Sequence, residues 1–131
     1  MTAGTASPGP APPRSDELNV VEREHDGVHV LSGFGDLDLA GAVTFCARVD
    51  AARDAGNVRL LIDLTHLSFC DTSGLRALTR AAEEFALSAG DVAMVAPTDA
   101  DVARLFAVTV ADERLPLHTS VDDGLASLAR A

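Results

Sequence analysis

Asp71, Thr72 and Ser73, followed by Gly74, bring a carboxylate and two hydroxyls to the start of a helix. The run before them, Val58 to Leu64, is short, apolar and β-branched, and reads as a buried strand. After them, Leu75, Leu78, Ala82 and Phe85 recur on one side of a helix. The four residues therefore sit where the carboxyl end of a strand hands over to a helix. Open α/β sheets bind ligands and partners at such ends. The first turn of a helix leaves backbone N–H groups unpaired and carries partial positive charge. Asp71 suits the N-cap position, accepting from the N–H of Ser73 or Gly74. A phosphate added to Ser73, in the first turn, would be stabilised by the same N–H groups. Gly74, lacking a side chain, would let another protein come close to the hydroxyl. The same residues also make an ordinary capped helix start, in which Thr72 and Ser73 do nothing.

Other residues could act around this point. Asp38 is placed to cap the preceding helix, either as a cap alone or as a cap that also shapes the field at Ser73. Arg76, three residues after Ser73, could reach a phosphate there or dock an acidic site on a partner. Arg76 and Arg80 could equally be solvated arginines, Arg80 pairing with Glu83 or Glu84. Asp63 interrupts its strand near the end and is placed to hydrogen-bond the following loop. Cys46 reads as a small core residue on a helix. Cys70 sits beside the key loop, where a core role or a redox role could be assigned. The two cysteines have no metal-type spacing, and the four scattered histidines form no ligand cluster, so neither metal nor cofactor is expected. His25 and His29 read as solvated strand residues.

No enzyme motif accompanies these groups. Ser73 lacks the upstream glycine of a Gly-x-Ser-x-Gly elbow. There is no lysine in the chain, so no Gly-x-x-x-x-Gly-Lys-Ser/Thr loop, and Gly-x-Gly-x-x-Gly is absent. Ten arginines stand against twenty acidic residues, a net charge of -10, which argues against nucleic acid and anionic membrane surfaces. A partner with a basic patch fits that field, and solubility alone would also account for it.

The elements that must position Ser73 follow from the rest of the 131-residue chain, a length that suits one domain with a real core. Residues 1–16 are Ala-, Pro- and Gly-rich and are expected to form a disordered extension. They lack the features of a secretory signal, and no stretch is long enough to span a membrane, so a cytoplasmic location is expected. Leu18 to His25 and Val28 to Phe34 flank Asp26-Gly27, a hairpin signal and the antiparallel edge of a sheet. Gly33, Gly35 and Asp36-Leu37-Asp38 read as the first loop. A helix follows from Leu39 to Asp54, with Ala42, Phe45, Cys46, Val49 and Ala52 inward, and Gly56-Asn57 ends it. The Val58–Leu64 strand is the expected sheet centre. The helix after Ser73 runs to about Ser88, and Gly90 closes it. A strand over Asp91 to Ala96 stops at Pro97. Thr98 to Asp101 resembles a capping box opening a helix that carries Val102, Leu105 and a core Phe106. A short strand at Leu115 to Thr119 and a helix capped by Ser120 complete the order β-β-α-β-α-β-α-β-α. This is one α/β domain over 17–131, a mixed, mostly parallel sheet of about five strands with about four helices.

Leu64 to Leu75, Leu-Thr-His-Leu-Ser-Phe-Cys-Asp-Thr-Ser-Gly-Leu, resembles the signature of the STAS family, the anti-sigma factor antagonists. There an apolar strand and a short loop lead to Asp-Ser/Thr-Ser/Thr-Gly-Leu opening a helix. Upstream, Gly35-Asp36-Leu37-Asp38 resembles the family's Gly-Glu-Leu-Asp, with Asp36 where Glu is frequent. The resemblance spans about Glu17 to Ala131. It implies a partner switch and not an enzyme. The unphosphorylated form would bind an anti-sigma factor that is also a serine kinase, freeing a sigma factor. Phosphorylation at Ser73, with Thr72 as runner-up, would break the complex, and a phosphatase would reset it. Asp38, Asp71, Thr72, Gly74 and Arg76 would form the partner surface. Two other roles share the fold: a non-switching adaptor subunit of a larger assembly, such as a lipid transporter, and a detached regulatory domain like those on anion transporters.

Overall fold

A computed structural model describes residues 17–109 and 116–129. The extension expected over 1–16 lies outside the described residues. Strands β1 (Asn19–His25), β2 (Val28–Leu37), β3 (Arg59–Cys70), β4 (Asp91–Val95) and β5 (Leu117–His118) alternate with helices α1 (Leu39–Asp54), α2 (Thr72–Ser88), α3 (Ala100–Thr109) and α4 (Val121–Leu128) in the expected order. The sheet order is β1-β2-β3-β4-β5, with β3 central. β1 pairs antiparallel with β2, and the other pairings are parallel. Asp26 and Gly27 both take positive φ, 51° and 83°. That is the backbone a two-residue hairpin turn needs to match strand twist.

Two layers of core cover the sheet. On one face Leu31, Leu60, Ile62 and Leu64 pack with Phe45, Leu75, Phe85 and Phe106 of α1, α2 and α3. On the other, Val28, Val30, Leu61, Ala93 and Val95 pack beneath Leu128 of α4. Phe106 is a core residue, fully buried as expected.

The strands leading to Ser73 are longer than the sequence pattern suggests. Residues 33–37, expected in a loop, continue β2, and β3 runs on past Leu64 to Cys70. Two irregularities in the β2–β3 register explain why. Gly33 of β2 stands against Leu64 and Thr65 of β3, and Ser68 is a second extra residue on β3. The inward period of β3 thereby changes from two to three, and Leu64, Leu67 and Cys70 face the core. A strand with that spacing has no alternation to betray it. The same bulges turn His66 outward, where it stacks on Phe34 with centroids 4.6 Å apart.

Buried Asp63 secures the first bulge. It accepts from Ser32 Oγ at 2.9 Å, Thr65 N at 3.0 Å and Thr65 Oγ1 at 2.7 Å, so it ties two strands rather than a loop. Thr98 does not cap α3. Its hydroxyl donates to the Thr65 carbonyl at 2.9 Å, and Asp99 accepts from the N–H groups of Asp101 and Val102 instead. Ser120 caps α4 through the N–H of Asp123. β5 is two residues long, shorter than the expected Leu115–Thr119, whose first residue lies outside the described residues. His25 is exposed as expected, whereas His29 is half-buried and bonded to Glu22 at 2.9 Å.

Candidate functional site

β2 and β3 are parallel neighbours, and their last residues, Leu37 and Cys70, are paired. Each strand is followed at once by a helix. Two helix N-termini therefore open side by side at the carboxyl edge of the sheet. Asp38 caps α1, accepting from Gly41 N at 2.8 Å. Asp71 caps α2, accepting from Gly74 N at 2.7 Å. The N–H of Asp71 donates to the Leu37 carbonyl at 3.1 Å, which stitches one mouth to the other.

Ser73 is exposed, and its Oγ donates to Asp71 Oδ1 at 3.2 Å. Asp71 Oδ1 thus receives both the backbone N–H of Gly74 and the hydroxyl of Ser73. Thr72 is half-buried, so of the two hydroxyls Ser73 is the more open. Gly74 corrects the sequence expectation. It is buried, and a Cβ there would lie 2.4 Å from the Leu37 carbonyl oxygen and 2.7 Å from that of Asp38. The missing side chain lets α2 sit against the backbone that opens α1; it does not clear a path for an incoming protein. The approach to Ser73 is open because the residue itself is at the surface.

Asp38, Asp71, Ser73 and Gly74 are thus brought together. Arg76 stands exposed on α2, as does Arg80, and among the described residues neither forms an ion pair. The expected pairing of Arg80 with Glu83 or Glu84 does not form.

The cysteines divide. Cys46, expected on the inner face of α1, is half-buried and points at α2, its thiol 3.5 Å from the Ala77 carbonyl. Cys70 is buried, and its thiol is pushed up to about 12, first by burial and then by the charge of Asp71. A thiol held protonated is a poor nucleophile, so the environment opposes a redox role for Cys70.

The sequence pattern missed the second Asp-x-x-Gly. Asp38-Leu39-Ala40-Gly41 repeats the spacing of Asp71-Thr72-Ser73-Gly74, and Gly41 is as crowded as Gly74, with a Cβ there 2.4 Å from the Asp36 carbonyl oxygen. A cavity of about 310 Å³ lies beside the α1 terminus, lined by Glu17, Leu18, Asp36, Asp38, Ala40, Gly41 and Thr44. Among the described residues no group of three or more His, Cys, Asp and Glu could hold a metal, and no helix is long and apolar enough to cross a membrane.

Comparison with known proteins agrees with this architecture. The model of the STAS domain family matches residues 19–124. An anti-sigma factor antagonist from Mycobacterium paratuberculosis is similar at 26% identity and a TM-score of 0.75, over 87% of this chain and 96% of that one. The anti-sigma factor antagonist SpoIIAA in its unphosphorylated form is similar at 19% identity and a TM-score of 0.60, over 84% of this chain and 94% of that one. The murine anion transporter Slc26a9 contains a similar fold, at 21% identity and a TM-score of 0.65, over 81% of this chain but 18% of the transporter. No curated protein sequence matches the chain.

Proposed function

The chain belongs to the STAS domain family, and from that premise we propose that it is an anti-sigma factor antagonist acting as a phosphorylation-controlled binding switch. The observation that carries this reading is the exposed Ser73 hydroxyl at the mouth of α2. In the unphosphorylated state it binds, in the cytoplasm, an anti-sigma factor that is also a serine kinase, and the sigma factor is released to act in transcription, as in a response to stress. The kinase then modifies Ser73, and a phosphatase restores it. The greater exposure of Ser73 favours it over Thr72 as the acceptor. The chain's own part is binding; catalysis belongs to the partners.

Electrostatics support the switch. A phosphate adds about −1.5 to −2 charges at neutral pH. It arrives beside Asp71, whose Oδ1 is 3.2 Å from the Ser73 oxygen, on a protein that already carries -10. In the free protein, water and the N–H groups of the first turn accept that charge. Under a docked partner the water is gone. The phosphate's repulsion by the adjacent Asp71 carboxylate, screened by water in the free protein, then rises to roughly 4 kcal/mol for unit charges about 4 Å apart at an effective dielectric of about 20. That is nearly a thousandfold in affinity. Ser73→Ala should therefore hold the partner constitutively, and Ser73→Asp should bind poorly. Pull-downs with the two variants test this, and equal binding by both removes the switch.

A second reading, a non-switching adaptor subunit of a larger assembly such as a lipid or anion transporter, is favoured only by the fold shared with Slc26a9. Under it, the protein keeps one mobility on phosphate-binding gels across growth conditions.

A further inference from the structure

α1 is apolar on both sides. Its inner face buries Ala42, Phe45, Val49 and Ala52, yet on the outside Leu39 is 59% and Val43 67% exposed. A surface helix ordinarily carries polar residues there. Leu39 and Val43 are four residues apart and so form one patch.

The Cys46 thiol meets the Ala77 carbonyl, which marks the flank of α1 that faces α2. At about 100° per residue, Leu39 lies roughly 20° and Val43 roughly 60° round the helix from Cys46. Both therefore sit on the shoulder above the α1–α2 seam. Leu39 directly follows Asp38, whose carbonyl packs at Gly74. Ser73 stands on the exposed side of α2, one turn before Ala77. The apolar shoulder and the hydroxyl are thus neighbours on one surface.

The rim of that surface is acidic. Asp38 and Asp71 stand at the mouth, and Asp50 of α1 and Glu84 of α2 lie close enough to Cys46 for their charges to act on it. Arg76 and Arg80 of α2 and Arg53, paired with Asp50, are the cations beside them, and the four carboxylates outnumber the three. A partner matched to this rim carries basic residues around an apolar projection.

We propose that the partner which reads Ser73 seats an apolar side chain, flanked by lysine or arginine, on the Leu39–Val43 shoulder of α1. The inference rests on the switch reading and adds to it a division of labour. α1 supplies grip, and α2 supplies the group whose modification releases it. A phosphate at Ser73 lands at the edge of the patch beside Asp71, where its bulk, its lost hydration and the repulsion from that carboxylate break a contact held largely by α1.

The test uses the full chain and, as probe, a purified anti-sigma factor with serine kinase activity from the same organism. Leu39→Ser/Val43→Ser should melt like the parent, since both side chains are exposed. It should bind the kinase at least about tenfold more weakly, the scale of losing an interface anchor. It should also raise KM for Ser73 phosphorylation with little change in kcat. Binding by the parent should weaken as salt rises from about 50 to about 300 mM, because exposed charge pairs are screened over that range. Parent-like affinity in the double variant, with Ser73→Asp still non-binding, overturns the shoulder and leaves the switch standing. Salt-independent binding overturns the basic rim. No binding by the parent itself overturns both readings. If sedimentation shows a dimer of the parent that the double variant loses, the shoulder belongs to a second copy of this chain and the proposal fails.

Discussion

The two helix mouths are close geometric twins with different side chains. Each follows the last residue of a parallel strand, each is capped by an aspartate, and each aspartate accepts from a glycine N–H three residues on. Neither glycine has room for a Cβ: Gly74 is pressed against the Leu37 and Asp38 carbonyls at the start of α1, and Gly41 against the Asp36 carbonyl of its own strand. Between cap and glycine, α1 carries Leu39 and Ala40, and α2 carries Thr72 and Ser73. The frame Asp-x-x-Gly is therefore a device for seating a helix start closely on strand-end backbone. What differs is what the frame displays: apolar surface on α1, hydroxyl on α2. A cap and a glycine alone do not mark a functional residue here, because α1 has both without a hydroxyl.

The largest expected effects test the frame. Gly74→Ala puts a Cβ 2.4 Å from the Leu37 carbonyl oxygen, and Gly41→Ala puts one 2.4 Å from that of Asp36. These obstacles are backbone and cannot swing aside. Overpacking of this kind costs up to about 3 kcal/mol. Alanine in place of a helical glycine returns at most about 1 kcal/mol of propensity. The clash wins, and each variant should lose roughly 2 kcal/mol in urea denaturation. A stabilising Gly41→Ala beside a destabilising Gly74→Ala would show that the two mouths are not equivalent.

Next come the caps. Asp38→Ala and Asp71→Ala should each cost about 1 kcal/mol, the usual loss for an N-cap. Asparagine keeps an acceptor at that position, so Asp38→Asn and Asp71→Asn should stay within a few tenths of the parent. The twins should part company in phosphorylation. Asp71 holds the Ser73 hydroxyl at 3.2 Å, whereas Asp38 caps its own helix and has no hydroxyl at the equivalent position. Asp71→Ala should change the rate at which a partner kinase modifies Ser73 by several-fold, and Asp38→Ala by much less. Equal rates in the two variants would mean that the carboxylate–hydroxyl bond does not orient the acceptor.

Much of this was legible in the chain. The element order follows from where the apolar period changes, and the caps at Asp71 and Ser120 follow from side chains that compete well for first-turn N–H groups. The lengths of β2 and β3 were not legible, because bulges space Leu64, Leu67 and Cys70 three apart, a period that belongs to no regular strand. The role of Gly74 was misread, since sequence shows that a side chain is missing but not which carbonyl fills the gap. Thr98 fits a capping pattern locally, yet the Thr65 carbonyl on the overhanging strand competes for it and wins. Leu39 and Val43 gave a signal that passed unused: apolar residues on the outer side of a helix whose inner side was already assigned.

The residues just before the caps, Leu37 and Cys70, are paired across the strands and both buried. If the frame is common to both mouths, Cys70 is the small apolar counterpart of Leu37, and its thiol has no work to do. Its ionisation makes this testable. Burial, and after it the charge of Asp71, raises the folded thiol from 9.0 to about 12. Below about pH 8 the thiol is protonated in both the folded and unfolded chain and contributes no pH dependence. As pH rises through about 9, the unfolded chain releases a proton that the folded chain still holds, and stability falls. The parent should therefore lose stability between pH 8 and pH 10, and Cys70→Ala should lose less over the same interval. Cys46 adds a slope of the same sign, because burial first and then Asp50 and Glu84 raise its thiol too, so the difference between parent and Cys70→Ala isolates Cys70. At pH 8.5 iodoacetamide should modify half-exposed Cys46 before Cys70. Rapid alkylation of Cys70 in the folded protein would show that the α2 mouth opens where its twin stays shut, and the equivalence of the two frames would end there.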